Sequence, residues 1–279
     1  MFHRQFCQNG GDRPFPTCQR ESLNPALNNL DKVELQSFQT SDALAGAVAG
    51  AWLDEIESAN RAGKFQSVAL VGGRIMQKFF LSTAEKAAAR NVSFAGVRFF
   101  WADERCVPPE DAQSNFKLAN DLLLKPLRIA PAQIHRVRGE LPPPEAVALA
   151  NAELVSIALD KNGQPVLDLI FLSPGEDGHV ASLFQNAMSE TVTNAKCNTP
   201  FIFVPNSPKP PPRRISLNYN AIAAGREVWV LASGKGKEDA LKKSLNREGQ
   251  ASETQTSLGR IIENRQMTKI FMDVPVCME

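Results

Sequence analysis

One histidine in this 279-residue chain stands in a setting that could do chemistry. His179 follows Glu176-Asp177-Gly178, which puts an imidazole two residues from a carboxylate on a glycine turn. Imidazole titrates near neutral pH and is the commonest carrier of a proton in hydrolysis. Cations recur at other points where an apolar run breaks. Arg74 follows Gly72-Gly73, Arg105 closes Asp103-Glu104-Arg105, and Lys237 closes Ser233-Gly234-Lys235-Gly236-Lys237. Arg213-Arg214 ends a proline-rich run that starts at Asn206. An acid, a histidine and several cations together suit proton transfer on an anionic substrate. Each signal alone also has a plainer reading. Asp177 could cap a helix with His179 an ordinary first-turn residue. Residues 103–105 could be a loop paired with its own neighbours, and Gly-Gly-Arg is more often a turn than a phosphate loop.

Strands must position these residues. Leu169–Leu172 is wholly apolar, is entered by Asp168, and breaks at Ser173-Pro174-Gly175 just before His179. A short helix carrying Val180, Ala181, Leu183 and Phe184 is expected next. Residues 67–71 end at Gly72-Gly73, 97–101 run into Asp103, and 228–232 run into the Lys237 turn. Residues 201–204, 215–217 and 270–272 read as further strands, and the alternation over 32–38 as an edge strand. Between them lie helical patterns. Leu44, Val48, Trp52 and Ile56 fall four apart behind Ser41-Asp42. Met76, Phe79, Phe80 and Leu81 mark a second helix, and 114–124, 145–159 and the stretch around Ala240, Leu241 and Leu245 mark three more. This alternation predicts an α/β fold: a three-layer, mostly parallel, doubly wound sheet with a small appended region. In such sheets ligands bind outside the carboxyl ends of the strands. Four strand ends, at 72–74, 103–105, 173–179 and 233–237, would then open on one side as a single site for an anionic ligand. His135 has no carboxylate or glycine turn beside it and reads as a surface residue.

Composition bounds the rest. With 43% hydrophobic and 22% charged residues, the chain is ordinary globular material, long enough for one large α/β domain. That domain is placed at 31–279, behind a polar stretch, 1–30, read as a flexible extension. A net charge of +1 makes no electrostatic case for nucleic acid or an anionic membrane, so any anion site must be a local cluster. The cysteines at 7, 18, 106, 197 and 277 are scattered, without a CxxC pair, and the histidines at 3, 135 and 179 are dispersed. Neither a disulfide framework nor a metal site is expected, and no cofactor is called for. No apolar run approaches the ~20 residues that cross a bilayer. The first twenty residues lack the apolar core of a secretory signal, so a cytoplasmic protein is expected. Oligomeric state is left open.

Four stretches, FFWADERCVPPEDAQSNF (99–116), DLIFLSPGEDGHVASLF (168–184), PKPPPRRISLN (208–218) and LASGKGKEDAL (231–241), together resemble 6-phosphogluconolactonases. That family shares its fold with glucosamine-6-phosphate deaminases and ribose-5-phosphate isomerases. The similarity runs from about Val33 to Val274. It implies hydrolysis of 6-phosphoglucono-δ-lactone to 6-phosphogluconate, a step of the oxidative pentose phosphate route. It further implies His179 as general base with Asp103 beside it, and Arg105, Arg214 and Lys237 on the phosphate or the sugar acid. Backbone N–H groups around Gly72-Gly73 or Gly175 would receive the oxyanion. Three positions depart from the family pattern. Arg74-Ile75-Met76 replaces a Ser/Thr-Pro, with Arg74 a substitute phosphate contact. Ser173-Pro174-Gly175 replaces Gly-Met-Gly, and Gln185-Asn186 replaces Pro-Gly. The deaminase relatives carry a glutamate shortly after the Asp-Gly-His run, whereas Ala181 to Gln185 holds no carboxylate. A non-catalytic sugar-phosphate sensor on the same fold is the other alternative.

Overall fold

The computed structural model describes residues 29–185, 199–246 and 255–274. Nearly all of the expected 1–30 extension, and Cys7, Cys18, Cys197 and Cys277, lie outside them. Six strands form one sheet: β1 (Val33–Ser37), β2 (Gln66–Leu70), β3 (Val97–Trp101), β5 (Leu169–Leu172), β8 (Glu227–Ala232) and β9 (Thr268–Met272). Their order is β1-β9-β8-β5-β2-β3, and every pairing is parallel. β2 and β5 are buried along their whole length, as a parallel strand covered on both faces must be. β1 alternates between half-buried and exposed residues at the sheet edge, as its sequence predicts.

Helix α1 (Ser41–Arg61) joins β1 to β2, and α2 (Arg74–Arg90) joins β2 to β3. The chain then reverses direction, placing β5, β8 and β9 on the other side of β2. Right-handed crossovers therefore put later helices on the opposite face. The reversal between β2 and β5 is a topological switch point, the place where open α/β sheets leave a crevice. Under the sheet, Trp52 of α1 meets Phe79, Phe94, Phe99 and Phe171 at ring-centroid distances of 5.2–6.4 Å. Its indole N–H donates to Gln66 Oε1 at 3.1 Å, so the buried donor is satisfied.

A smaller antiparallel sheet, β4-β7-β6, forms the appended region. Its strands are β4 (Asp103–Arg105), β6 (Phe201–Val204) and β7 (Arg214–Leu217). Ala102 hinges the two sheets: its N–H donates to Leu70 O and its carbonyl accepts from Leu217 N–H. Helices α3 (Asn115–Ala119), α4 (Pro143–Ile157), α5 (Tyr219–Ala224), α6 (Glu238–Leu245) and α7 (Ser257–Glu263) complete the described chain.

Two expectations fail. The helix expected to carry Val180, Ala181, Leu183 and Phe184 does not form over those residues. Val180 bridges to Leu183 across a tight turn, and Ala181 takes φ 51° in the left-handed region. The Ser182 hydroxyl bonds Asp103 and its N–H bonds Ser216 Oγ, which holds the segment against the small sheet instead of letting it coil. His135 is not a surface residue either. Its ring stacks on Phe100 at 4.9 Å, and its Nδ1 lies 3.5 Å from Glu153, a carboxylate eighteen residues away that local sequence could not reveal.

Candidate active site

The loops after β2, β3, β5 and β8 converge on a cleft of about 330 Å³ at the switch point. All eight residues singled out from the sequence line it: Gly72, Gly73, Arg74, Asp103, Arg105, His179, Arg214 and Lys237. Three neighbours that the sequence reading did not assign also line it or support it: Asn115, Lys209 and Ser182.

His179 is held by a closed turn. Gly175 N–H donates to His179 O at 2.8 Å, and Gly178 N–H donates to Gly175 O at 3.1 Å. Gly178 has φ +77° and lies against Thr256, so a side chain there would be both strained and blocked. From behind, α7 braces the turn through Leu258 N–H to Gly178 O and Ser257 Oγ to Leu183 O. The imidazole stacks on Phe184 with centroids 4.3 Å apart. Its Nδ1 lies 2.5 Å from Asp177 Oδ1. A side chain at Gly175 would overlap the Nδ1–Cε1 edge of the ring, so glycine there is what lets the backbone lie against it. Nδ1 is thus engaged, and Nε2 is the nitrogen left for the cleft. Burial lowers the His179 pKa, and the Asp177 bond and charge oppose that without reversing it. Burial pushes Asp177 the other way, but its bond to His179 and the charges of His179 and Lys209 keep it below the usual carboxylate range.

The carboxylate hydrogen-bonded to His179 is therefore Asp177, while Asp103 reaches the ring through its charge alone. Asp103, 4% exposed, sits in a different network. Its Oδ2 accepts from the Ser182 hydroxyl at 2.6 Å and its Oδ1 accepts from Asn115 Nδ2 at 3.0 Å. Arg214 Nη1 lies 3.9 Å from the same Oδ2, so the buried charge has both hydrogen bonds and a counter-ion. Asn115 Oδ1 presses on Gly72 where a side chain would stand, which ties the β2 loop to this network. Successive residues of a strand point to opposite faces, so Glu104 turns away from the cleft. It accepts from the N–H groups of Arg105, Asn115 and Phe116 and from the Ser114 hydroxyl, fixing the start of α3 to β4. Burial raises its pKa to about 7 despite those bonds. The paired motif thus divides its labour: Asp103, Arg105 and Asn115 face the cleft, while Glu104 and Ser114 hold them in place.

The cations fall into two groups. At one end α2 begins at Arg74 behind Gly73, φ +124°, with no side-chain cap and no acidic residue in its first turn. An uncapped N-terminus offers N–H donors and a partial positive charge. Lys237 faces the same end. Its pKa is lowered by burial and then by the charge of Arg74, with a smaller push from Lys209, against the pull of Asp273 and Glu176. Asp273 also pins the loop, accepting from Ser233 Oγ at 2.7 Å and Gly234 N–H at 3.1 Å. At the other end stand Arg105 and Arg214. Arg105 Nη1 donates to Gln113 O at 2.6 Å, and its buried Nε has no partner among the described residues. Arg214 is largely committed: it donates to the carbonyls of Lys209, Pro210 and Pro211 and clamps the proline-rich loop. The Gly175 N–H, one of the oxyanion donors suggested by sequence, is spent on the His179 carbonyl.

Residues 39–268 match the family described as glucosamine-6-phosphate isomerases/6-phosphogluconolactonase. The chain belongs to this family. A 6-phosphogluconolactonase of Treponema pallidum is 34% identical over 197 residues, 71% of this chain and 79% of that one. A 6-phosphogluconolactonase of Mycobacterium leprae is 34% identical over 223 residues, 78% of this chain and 88% of that one. The solved structure of 6-phosphogluconolactonase from Trypanosoma brucei superposes with a TM-score of 0.74 at 22% identity, covering 86% of this chain and 96% of that one. At that identity the likeness speaks for the fold, and it is a glucosamine-6-phosphate isomerase/6-phosphogluconolactonase fold. No helix among the described residues is long and apolar enough to cross a membrane.

Proposed function

We propose that the chain hydrolyses 6-phospho-D-glucono-1,5-lactone to 6-phospho-D-gluconate, with His179 as the general base. The observation that carries this reading is the Asp177–His179 pair opening onto a cleft lined by cations at both ends. The phosphate lies at the α2 end, against the first-turn N–H groups, Arg74 and Lys237. The lactone end lies toward Asp103 and Arg105, which line the cleft there. Nε2 of the neutral imidazole takes a proton from water as the water oxygen bonds to C1. The carbonyl electrons move to oxygen, and Asp177 stabilises the imidazolium. Collapse of the tetrahedral species breaks the bond from C1 to the ring oxygen, which leaves with the proton that His179 returns. The product carries the freed hydroxyl and a carboxylic acid, which gives its remaining proton to solvent to become the carboxylate. This route is metal-independent, because the lactone carbonyl is attacked by a water already losing its proton. The deaminase reading has less support, since Ala181 to Gln185 offers no carboxylate beyond the histidine.

The test is turnover of the lactone by the purified protein, with spontaneous opening subtracted. Acceleration is expected to persist in a chelator and to fall as pH drops through the His179 pKa. His179→Gln is expected to lose ~10²–10⁴ in kcat while 6-phosphogluconate still binds. Activity lost to chelator and restored by zinc would refute the metal-free route. A variant within a few fold of wild type would remove His179 from the role.

A further inference from the structure

Lys209 stands on the proline-rich loop between β6 and β7, and the loop is tied down around it. Arg214 donates to the carbonyls of Lys209, Pro210 and Pro211. Ser207 Oγ accepts from Lys209 N–H at 3.2 Å and donates to Lys209 O at 2.9 Å. None of these bonds uses the lysine side chain. Its Nζ reaches back to Asp177 Oδ1 at 3.7 Å, the oxygen that meets His179 Nδ1. The side chain is 47% exposed and lines the cleft, so the contact is not sealed. Its charge is also felt by Lys237 at the α2 end. One ammonium group thus stands between the acceptor of the histidine pair and the cations that await an anion.

We infer that Lys209 is shared between Asp177 and the anionic end of the substrate, so that anion binding draws the ammonium away and leaves Asp177 to His179 alone. The inference rests on the proposed lactone hydrolysis for its catalytic meaning. The charged groups that face His179 are Asp177 on its own turn, Asp103 on β4 and Lys209 on the proline-rich loop; only Lys209 disfavours the imidazolium. In the empty cleft the ammonium offsets part of the Asp177 charge and the buried ring stays neutral, as a base must. With a phosphate present, a dianion competes for the ammonium, and the undiluted Asp177 charge faces the imidazolium that forms as water is attacked. Stabilisation that appears only when the phosphate is bound and the proton has moved raises kcat and not merely affinity. Lys209 is on this account a positioning residue that makes the chemical step depend on the remote phosphate.

The experiment is an NMR titration of the His179 ring, assigned against His179→Gln, with inorganic sulfate as the probe because it stays a dianion across the pH range. In the wild type, saturating sulfate is expected to raise the ring pKa by about 1 unit. Lys209→Met keeps the backbone bonds of the loop. It should raise the resting pKa by about 0.5 unit, the modest shift expected of a half-exposed cation, and roughly halve the sulfate-induced rise. A resting titration in Lys209→Met that coincides with wild type overturns the inference. So does an equal sulfate effect in both proteins at saturation, or no sulfate effect on the wild type. Turnover is measured separately on the same samples. Linkage without lactone opening would refute the proposed activity and leave the linkage standing, and turnover without linkage would do the reverse.

Discussion

Replacing Asp177 with asparagine tests which carboxylate serves His179. The contact is short, 2.5 Å between Oδ1 and Nδ1, and it becomes a charge-assisted bond once the ring is protonated. Such bonds contribute ~1.5–3 kcal/mol. The Asp177 side chain is 50% exposed, so water screens it and the lower part of that range applies, about 1.5–2 kcal/mol. At a factor of ten per ~1.4 kcal/mol, losing the charge should cost roughly 10–30-fold in kcat. Asparagine can also turn its amide N–H toward Nδ1, which leaves the ring proton on Nε2 and removes the base. The charge term is therefore a lower bound. The pH profile separates these effects from general damage. Both Asp177 contributions favour the protonated ring, so without them its pKa falls further and the acid limb of the rate moves to lower pH. Asp103→Asn should move the limb less, because its charge favours the imidazolium more weakly than Asp177 does and its hydrogen bonds go to Ser182 and Asn115. The assay is kcat against pH for wild type and both variants, with spontaneous hydrolysis subtracted. An Asp177→Asn enzyme within threefold of wild type and with an unmoved limb, beside an Asp103→Asn enzyme whose limb has moved, would return the orienting role to Asp103.

Two further outcomes follow from the packing around the site. Gly175→Ala should fold with near-normal thermal stability, since Gly175 does not occupy the left-handed region, yet its new methyl would overlap the His179 ring and the Asp177 carboxylate. A displaced base costs on the order of 10² in rate, and kcat together with a thermal melt checks it; full activity would mean that the ring has room to move. Glu104, raised from 4.5 to about 7 in the folded protein, binds its proton more tightly folded than unfolded. Its contribution to stability is therefore fully present below pH ~4.5 and is lost as pH rises to ~7, by at most about 3 kcal/mol. Urea unfolding of wild type and Glu104→Gln at pH 4.5 and pH 8 should show the wild type losing ground to the variant at the higher pH; a pH-independent difference would contradict the assigned shift.

How much of this could be read from the sequence depended on how far apart the partners lie. The strands were legible because both faces of a parallel sheet are covered, which leaves continuous apolar runs such as Leu169–Leu172. The cleft was legible because every strand end that carried a glycine or a charge opens on the same side. The Asp177–His179 pair spans two residues, yet the hydrogen bond between them was not foreseen: Asp103, 76 residues earlier in the chain, was expected beside the ring, and it shares the cleft but reaches the ring by charge alone. What separates them is the turn at Ala181. A helix there was expected from four apolar residues, but Val180 and Leu183 bury themselves across a tight bridge, and Ser182 takes the Asp103 carboxylate through a contact spanning 79 residues. Arg214 does more than its place in the chain shows. A basic residue at the end of a stiff loop reads as an anion ligand, and Arg214 lines the cleft; at 3% exposure it also donates from Nε and Nη2 to three carbonyls of the loop. Clamping the loop leaves the side chain of Lys209, hidden in sequence among prolines, half-exposed and lining the cleft. In the linkage inferred above, the buried arginine builds the loop and the half-exposed lysine meets the anion.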